Sequence, residues 1–543
     1  MPNHKPYDAL IVGGGHNGLT CACYLAGAGL KVRVLERRSV VGGAAVTEEF
    51  FPGFRNSTAA YTVSLLHSKV IRELKLAEHG LKIVSRPIAN FLPFQDGRYL
   101  KVGSLAATQA GLARFSERDA ARLPEYYAML GRIGVVLREL MLETPPNLGG
   151  GARDVLAAFK AGNLVRRLDM AARRDFLDLL AKSAGDLLDA WFESDPIKAA
   201  FGFDAVVGNY ASPYAPGSAY VLLHHVIGEV NGERGAWGHA MGGMGSITQA
   251  MAREAERRGV EITTGCEVVK VCVDDRGAQG VQLSDGRVME AKCVVANVNP
   301  KLLFLRLMDE NTLEAEFLQR IRGYKCASAT FRMNVALSEL PDFTCLPGKH
   351  VQEHHQSGII IAPSLAYMEQ AYFDARTYGC SRAPIVEMLI PSTVDDTLAP
   401  RGSHVASLFC QHFAPELPGG LNWDGIREDA ADHVIDTVTR YAPNFKGAVL
   451  GRSILSPLDL EREFGLTGGD IFHGALTLDQ LWSARPVLGY ADYRAPVKAL
   501  YLCGAGTHPG GGVSGIPGHN AAREIIRDFR AGKLDEKEKP ERG

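Results

Sequence analysis

A run of glycines near the start of the chain, Gly13-Gly14-Gly15-His16-Asn17-Gly18, limits the possible folds more than any other feature. It follows an apolar stretch, Ala9-Leu10-Ile11-Val12, and opens an Ala- and Leu-rich stretch that reads as a helix from about Asn17 to Ala28. A third stretch, Lys31 to Glu36, reads as a strand that ends on an acid. Strand, tight turn, helix and strand in that order form a unit suited to a dinucleotide. The GxGxxG pattern alone is weak. With 59 glycines in 543 residues, chance supplies about 0.7 copies in a chain this long. Context makes it specific, above all Glu36, 21 residues after Gly15.

Each part has a task. Gly13 permits the turn, Gly15 lets backbone approach a pyrophosphate, and Gly18 lets helix pack on strand. The helix N-terminus, with Asn17 in its first turn, offers free N–H groups and positive partial charge to phosphates. Glu36 can accept both hydroxyls of an adenosine ribose, and its charge disfavours a 2′-phosphate. Arg37, next in sequence, joins it in the cofactor-binding set. Ala9 to Leu30 is 22 residues without Asp, Glu, Lys or Arg, long enough to cross a bilayer. Its six glycines break it into strand and helix, so no transmembrane segment is expected.

A net charge of -2 without long runs of one sign gives no reason to expect a nucleic-acid partner. Ten scattered cysteines without a CxxC pair argue against a disulfide framework and a zinc site, and no metal is expected. A reducing compartment follows. The polar N-terminus, Met1 to Asp8, has neither signal-peptide nor transit-peptide character.

Strand–helix patterns recur in the middle and at the end of the chain. Trp237 to Pro300 holds Gly242-Gly243-Met244-Gly245, a helix to Arg258 and strands at Glu261 to Thr264 and Glu267 to Val273. Ala499 to Phe529 holds a strand, a glycine loop from Gly504 to Gly518, and a helix from about His519. The expected fold is therefore α/β: a Rossmann-like domain built from residues 1–104, 237–309 and 471–543. A helical insert at 105–236 and a mixed-sheet substrate domain at 310–470 complete it. Lys533 to Gly543 has the composition of a disordered tail.

Gly13 to Leu25, then Val34-Leu35-Glu36, Val41 and Gly42-Gly43 resemble the extended FAD signature of the phytoene desaturase and flavin amine oxidase superfamily. The resemblance implies FAD as cofactor, with Gly42 and Gly43 continuing the phosphate surface. One departure is Asn56-Ser57-Thr58, where the family often shows Asp-x-Gly. The C-terminal glycine loop can aim backbone N–H groups at the negative charge that collects on a reduced flavin. It resembles the flavin motif of carotenoid desaturases, which implies Gly511, Gly512 and Val513 as flavin contacts, with Gly504 in the same cofactor-binding set. In that superfamily a strand residue at about Val268 holds the adenine through its backbone. Leu460 to Gly474, followed by Leu478-Asp479-Gln480 and Arg485-Pro486, resembles the branch typified by pyridine nucleotide-disulfide oxidoreductase domain-containing protein 2. No CxxxxC pair follows the first turn, so the disulfide chemistry of that branch's name finds no support. No second strand-linked GxGxxG marks an NAD(P)H domain.

The expected activity is dehydrogenation, or isomerisation, of a small apolar or lipid-like substrate, with hydride passing to flavin N5. Phe201 to His225, with Tyr210, Tyr214 and Tyr220, could wall that substrate or simply fill a core. A flavin amine oxidase is the first alternative, disfavoured because Gly510 to Gly512 carry no aromatic ring. A FAD-binding regulatory protein with a protein partner and little turnover is the second. His508, inside the flavin loop, is the one weak catalytic candidate. Thr507 or Asn520 are candidates for the ribityl chain or phosphate. His473 reads equally as a structural cap, and His354 and His355 lack metal-ligand spacing. Peripheral membrane contact stays open. The resemblance places the protein in the cytoplasm if the chain is bacterial, or in the mitochondrial matrix if the eukaryotic branch applies.

Overall fold

Ala9, Leu10 and Ile11 are all fully buried in the strand Tyr7–Val12, the mark of a parallel strand covered on both faces. On the Ala9 and Ile11 face, His16–Gly27, Ile516–Arg530 and Gly245–Arg257 share one core, while Leu10 and Val12 pack in another with Pro300–Arg306 and Ala315–Gly323. The computed structural model describes residues 6–534. The tail expected to be disordered lies, from residue 535 onward, outside them.

The strands of this layer come from three distant parts of the chain. Glu261–Thr263, Val32–Leu35, Tyr7–Val12, Val288–Ala296 and Leu500–Leu502 lie side by side in parallel. Val288–Ala296 also continues into an antiparallel meander with Gly277–Leu283 and Val268–Asp274. Start, middle and end of the sequence thus build one sheet, and the carboxyl ends of its parallel strands set the nucleotide end of the site.

A second seven-stranded sheet runs in the order Val449–Leu455, Thr330–Leu337, His404–Phe413, Cys380–Leu389, Gly358–Ile361, Asn90–Pro93, Tyr99–Val102. All eight residues of Thr330–Leu337 are buried. The sheet is mixed: Gly358–Ile361 pairs in parallel with Asn90–Pro93 and antiparallel with Cys380–Leu389. By pairing, Asn90–Pro93 and Tyr99–Val102 belong to this sheet, whereas the sequence reading grouped them with residues 1–104. Phe91-Leu92 is apolar on both faces of its strand, so the sequence holds no clue to which sheet takes it up.

The helical insert packs seven helices from Leu105–Leu112 to Ser218–Val226. Among the described residues, no helix is long and apolar enough to cross a membrane.

Candidate functional site

One continuous cleft starts beside Val12 and Leu35, at the ends of two parallel strands, and reaches Phe409 of the second sheet. It gathers Gly13, Gly15, Asn17, Glu36, Arg37, Gly43, Val268, Gly511, Gly512 and Val513. Gly18, Gly42 and Gly504 lie behind its surface and shape it. A Cβ on Gly18 would fall 2.3 Å from the Gly13 carbonyl oxygen, and one on Gly504 would fall 3.2 Å from Asn297 Oδ1.

The nucleotide end is built from backbone. Helix His16–Gly27 has Gly15 at its N-cap, with no side-chain cap and no acid in its first turn, so its first N–H groups stay available to an anion. Many helices elsewhere are closed by side chains, such as Ser116 and the Ser456 capping box. Glu36 is buried at 6% exposure. Its oxygens accept the Gly14 N–H at 2.8 Å and the Arg38 N–H at 2.9 Å, and a carboxylate retains further lone pairs for ribose hydroxyls. Arg37 donates to the Arg462 carbonyl at 2.7 Å, which ties the strand end to helix Pro457–Phe464.

Among the buried polar atoms that have no hydrogen-bond partner in the described residues are His16 Nε2, Asn17 Oδ1, Arg38 Nη1 and His473 Nδ1. All four residues line the cleft. Orphaned polar atoms are costly and uncommon in folded proteins. Four on one wall fit a polar, phosphate-bearing ligand. Burial lowers the His16 imidazole to about 3, with nearby His473 adding to the effect, and lowers His473 to about 4.

The far end is lined by Ala59, Ala60, Tyr61, Leu65, Val207, His225, Trp237, Phe409, Ile471, Phe472 and the loop Gly511–Val513. Val513 adopts φ +56°, a strained conformation for a β-branched residue, of the kind that clusters at functional sites. Arg485 braces this wall. Fully buried, it donates to the carbonyls of Phe472 and Ala505 at 2.8 Å each, and to those of Gly474, Ala475 and Gln480. Asp470 accepts the N–H groups of Phe472 and Gly474 at 2.8 and 2.9 Å. Burial raises its pKa to about 6.

Tyr61 stacks on Phe409 at 5.0 Å and donates its hydroxyl to Glu387. Arg332 lies 4.6 Å over the Tyr61 ring, and Arg86 is 4.0 Å from Glu387. Burial raises Glu387. It also pushes Asp204 up to about 8, with the Glu387 charge adding to it.

Some sequence expectations end elsewhere. His508 does not line the cleft: its Nε2 faces the Leu140 carbonyl at 3.1 Å, and its ring meets Trp482 edge-on at 4.7 Å. A direct catalytic contact therefore has no geometry behind it. Asn520 donates to the Met141 carbonyl and the Tyr493 hydroxyl, and Thr507 to the Gly504 carbonyl, so both are spent within the protein. From Phe201 to His225 only Val207 and His225 line the cleft. Tyr214 bonds Asp189 and Tyr210 packs on Tyr372. The glycine loop brings no aromatic ring, yet Tyr61, Trp237, Phe409 and Phe472 arrive from other segments.

Asn297 was not foreseen. It donates to the Gly13 carbonyl at 3.1 Å, bracing the turn, and itself lines the cleft. Its only sequence signal is a polar residue directly after the strand Val288–Ala296.

Residues 18–331 match the family described as flavin containing amine oxidoreductase. The chain is 42% identical, over 97% of its length and 94% of the relative's, to rat (Rattus norvegicus) pyridine nucleotide-disulfide oxidoreductase domain-containing protein 2. It is 24% identical to the lycopene-forming phytoene desaturase of Pseudescherichia vulneris, over 93% and 96% of the two chains. Among solved structures, wild-type putrescine oxidase bound to putrescine superposes with a TM-score of 0.59 at 14% identity, over 97% of this chain and 99% of that one. That likeness is one of fold.

Proposed function

Because the chain belongs to the flavin containing amine oxidoreductase family, and is thus an oxidoreductase with FAD as cofactor, we propose that it dehydrogenates an apolar or lipid-like donor in the manner of the phytoene desaturases. One observation carries this reading. The Glu and Arg side chains on the cleft, Glu36, Arg37, Arg38, Glu267 and Glu463, sit with the nucleotide end, and the far end is walled by apolar and aromatic groups.

The chain's own groups divide the work. Glu36 would hold the ribose, and the N-terminus of His16–Gly27 with Gly43 the pyrophosphate. Gly511 to Val513 would face the flavin with backbone N–H groups. FAD, when bound, supplies a hydride acceptor at N5. Val207, Phe409 and Phe472 would exclude water and orient the donor, a task of positioning that needs no strong protein base. The relative that forms lycopene acts on a donor of this apolar class.

An amine substrate fits less well. The Tyr61 ring is already covered by Arg332 at 4.6 Å, and Arg86 lies 5.8 Å from the Trp237 ring centre. These rings therefore offer an ammonium less bare aromatic face than an amine site needs. The free thiols of all ten cysteines fit a reducing compartment, cytoplasm or mitochondrial matrix.

The test is anaerobic reduction of the FAD-loaded protein, followed by loss of flavin absorbance. Bleaching by apolar polyenes or other hydrocarbon donors, and not by primary amines, is expected. Bleaching by amines alone would overturn the proposal.

A further inference from the structure

Helix Ala152–Arg166 is built inside out. Val155, Leu156 and Phe159 are 67%, 68% and 73% exposed, while the opposite face carries half-buried Asp154, Ala157, Ala161, Leu164 and Val165. No residue of this helix is buried. In the flanking segments Leu148, Met170 and Leu177 are also more than half exposed. An ordinary surface helix turns its large apolar stripe to the core, and Glu117–Met141 in the same insert does so with Leu123, Tyr126, Leu130 and Ile133. A contiguous apolar face left outward marks an interaction surface.

Its rim identifies what covers it. Between Leu148 and Leu177 the chain has six Arg or Lys (Arg153, Lys160, Arg166, Arg167, Arg173, Arg174) against three Asp (Asp154, Asp169, Asp175), within a protein of net charge -2. The acids are engaged: Asp154 accepts the Asn147 N–H at 2.8 Å, Asp169 caps the next helix through the Ala172 N–H at 2.8 Å, and Asp175 pairs with Arg132 at 3.5 Å. Of the bases, Arg153 pairs with Glu524 and Lys160 with Glu143 at 2.7 Å. Exposed Arg167 and Arg174 have no ion-pair partner among the described residues. An apolar stripe with a basic rim is the pattern of a helix lying in the plane of a lipid interface. Two copies packed face to face would instead bring the basic rims together.

We propose that this face docks the protein on an anionic lipid surface, with Val155, Leu156 and Phe159 entering the headgroup–acyl boundary and the rim arginines meeting lipid phosphates. The surface is separate from the cleft, so the inference stands independently of the substrate. It is an anchoring surface and no part of the flavin site.

The test is flotation of the FAD-loaded full chain with vesicles of phosphatidylcholine containing roughly one-third phosphatidylglycerol, beside vesicles of phosphatidylcholine alone. Flotation with the anionic vesicles is expected. L156E/F159E should reduce it at least about tenfold without altering flavin spectrum or melting temperature, and R167E/R174E should reduce it on anionic vesicles in particular. Equal flotation of wild type and L156E/F159E, or no flotation of either, would overturn the proposal. So would a wild-type dimer that L156E/F159E converts to monomer, because the face would then belong to a second copy.

Discussion

Gly18 lies inside helix His16–Gly27, where alanine is ordinarily better by about 1 kcal/mol. Here the sign should reverse. A Cβ at Gly18 would sit 2.3 Å from the Gly13 carbonyl oxygen and 2.9 Å from Asn297 Nδ2, about 1 Å inside normal contact at the shorter distance. Neither neighbour yields cheaply, because one is backbone and the other donates to that same oxygen at 3.1 Å. Opening the turn costs about 1–3 kcal/mol. A 2.3 Å approach to backbone belongs at the upper end of that range, so after the propensity gain Gly18→Ala should lower the stability of the apoprotein by about 1–2 kcal/mol. Gly15 differs. Its Cβ would meet Asn297 Nδ2 at 3.0 Å and nothing else within 3.8 Å, and so would enter the cleft. Gly15→Ala should leave the apoprotein within about 1 kcal/mol of wild type. Its FAD affinity should fall roughly tenfold to hundredfold, the worth of one charge-assisted hydrogen bond at about 1.5–3 kcal/mol. Urea titration of the two apoproteins gives stability, and quenching of flavin fluorescence on reconstitution gives affinity. A Gly18→Ala protein as stable as wild type would refute the close approach. A Gly15→Ala protein with wild-type affinity would refute the turn as the pyrophosphate surface.

Glu36→Ala removes the acceptor of two backbone N–H groups together with the ribose contact, so apoprotein stability should fall by about 1–3 kcal/mol and FAD affinity with it. Unchanged affinity on reconstitution would leave Glu36 a strand-end charge. Arg485→Met strips five carbonyls of their donor and should cost at least about 3 kcal/mol with loss of flavin retention; a stable yellow variant would contradict the bracing role. Phosphates beside His16 and His473 favour protonation of imidazoles that burial otherwise holds at about 3 and 4. FAD affinity should therefore rise as pH falls toward about 4, and a flat profile would separate these rings from the phosphates. His225 and His412 are lowered by burial to about 4 and about 3, so the folded form binds fewer protons than the unfolded one. Their contribution is intact above about pH 6.5 and is lost as pH falls, by about 1.4 kcal/mol per unit for each. Asp470, raised to about 6, acts in the opposite sense, its contribution lost as pH rises from about 3.8 through 6. Asp204, raised to about 8, and Glu387 act in the same sense as Asp470, but His16, His224, His354, His473 and His508 are lowered as well, so the urea midpoint of the apoprotein should drop between about pH 7 and about pH 5; a midpoint that rises would show that these rings are charged in the fold.

The nucleotide end is legible because its determinants are local. Gly13, Gly15, Gly18 and Glu36 fall within one strand–turn–helix–strand unit, and the observed His16–Gly27 and Val32–Leu35 lie within a residue or two of their expected bounds. Backbone does the binding there, and glycine is the one residue type whose presence reports on backbone. Asn297 acts on the same turn from 284 positions away, and nothing around it in the sequence announces that. His16 reads as filler inside the glycine motif, and its orphaned ring nitrogen becomes meaningful only once His473 is folded against it.

The far end is another matter, because each wall comes from a different segment: Tyr61 from a loop, Val207 and His225 from the helical insert, Phe409 from the second sheet, Phe472 from the segment before the flavin loop. Each is an ordinary core residue type, and only packing makes it a wall. That is why a glycine loop without an aromatic ring gave a poor forecast of an end that holds four. One signal was nonetheless present. Arg332 stands in Thr330-Phe331-Arg332-Met333 and Glu387 in Ile385-Val386-Glu387-Met388, each the lone charge in an otherwise apolar strand segment. A charge in such a run cannot be buried without a partner, so each required a counter-charge or hydrogen-bond partner brought by another part of the chain. Both meet Tyr61, through its ring and its hydroxyl. Lone charges in apolar strands therefore point to where distant segments meet in the fold, here at Tyr61 on the cleft. Charge needs a partner wherever the chain folds, whereas the shape of the space beside that partner exists only after folding.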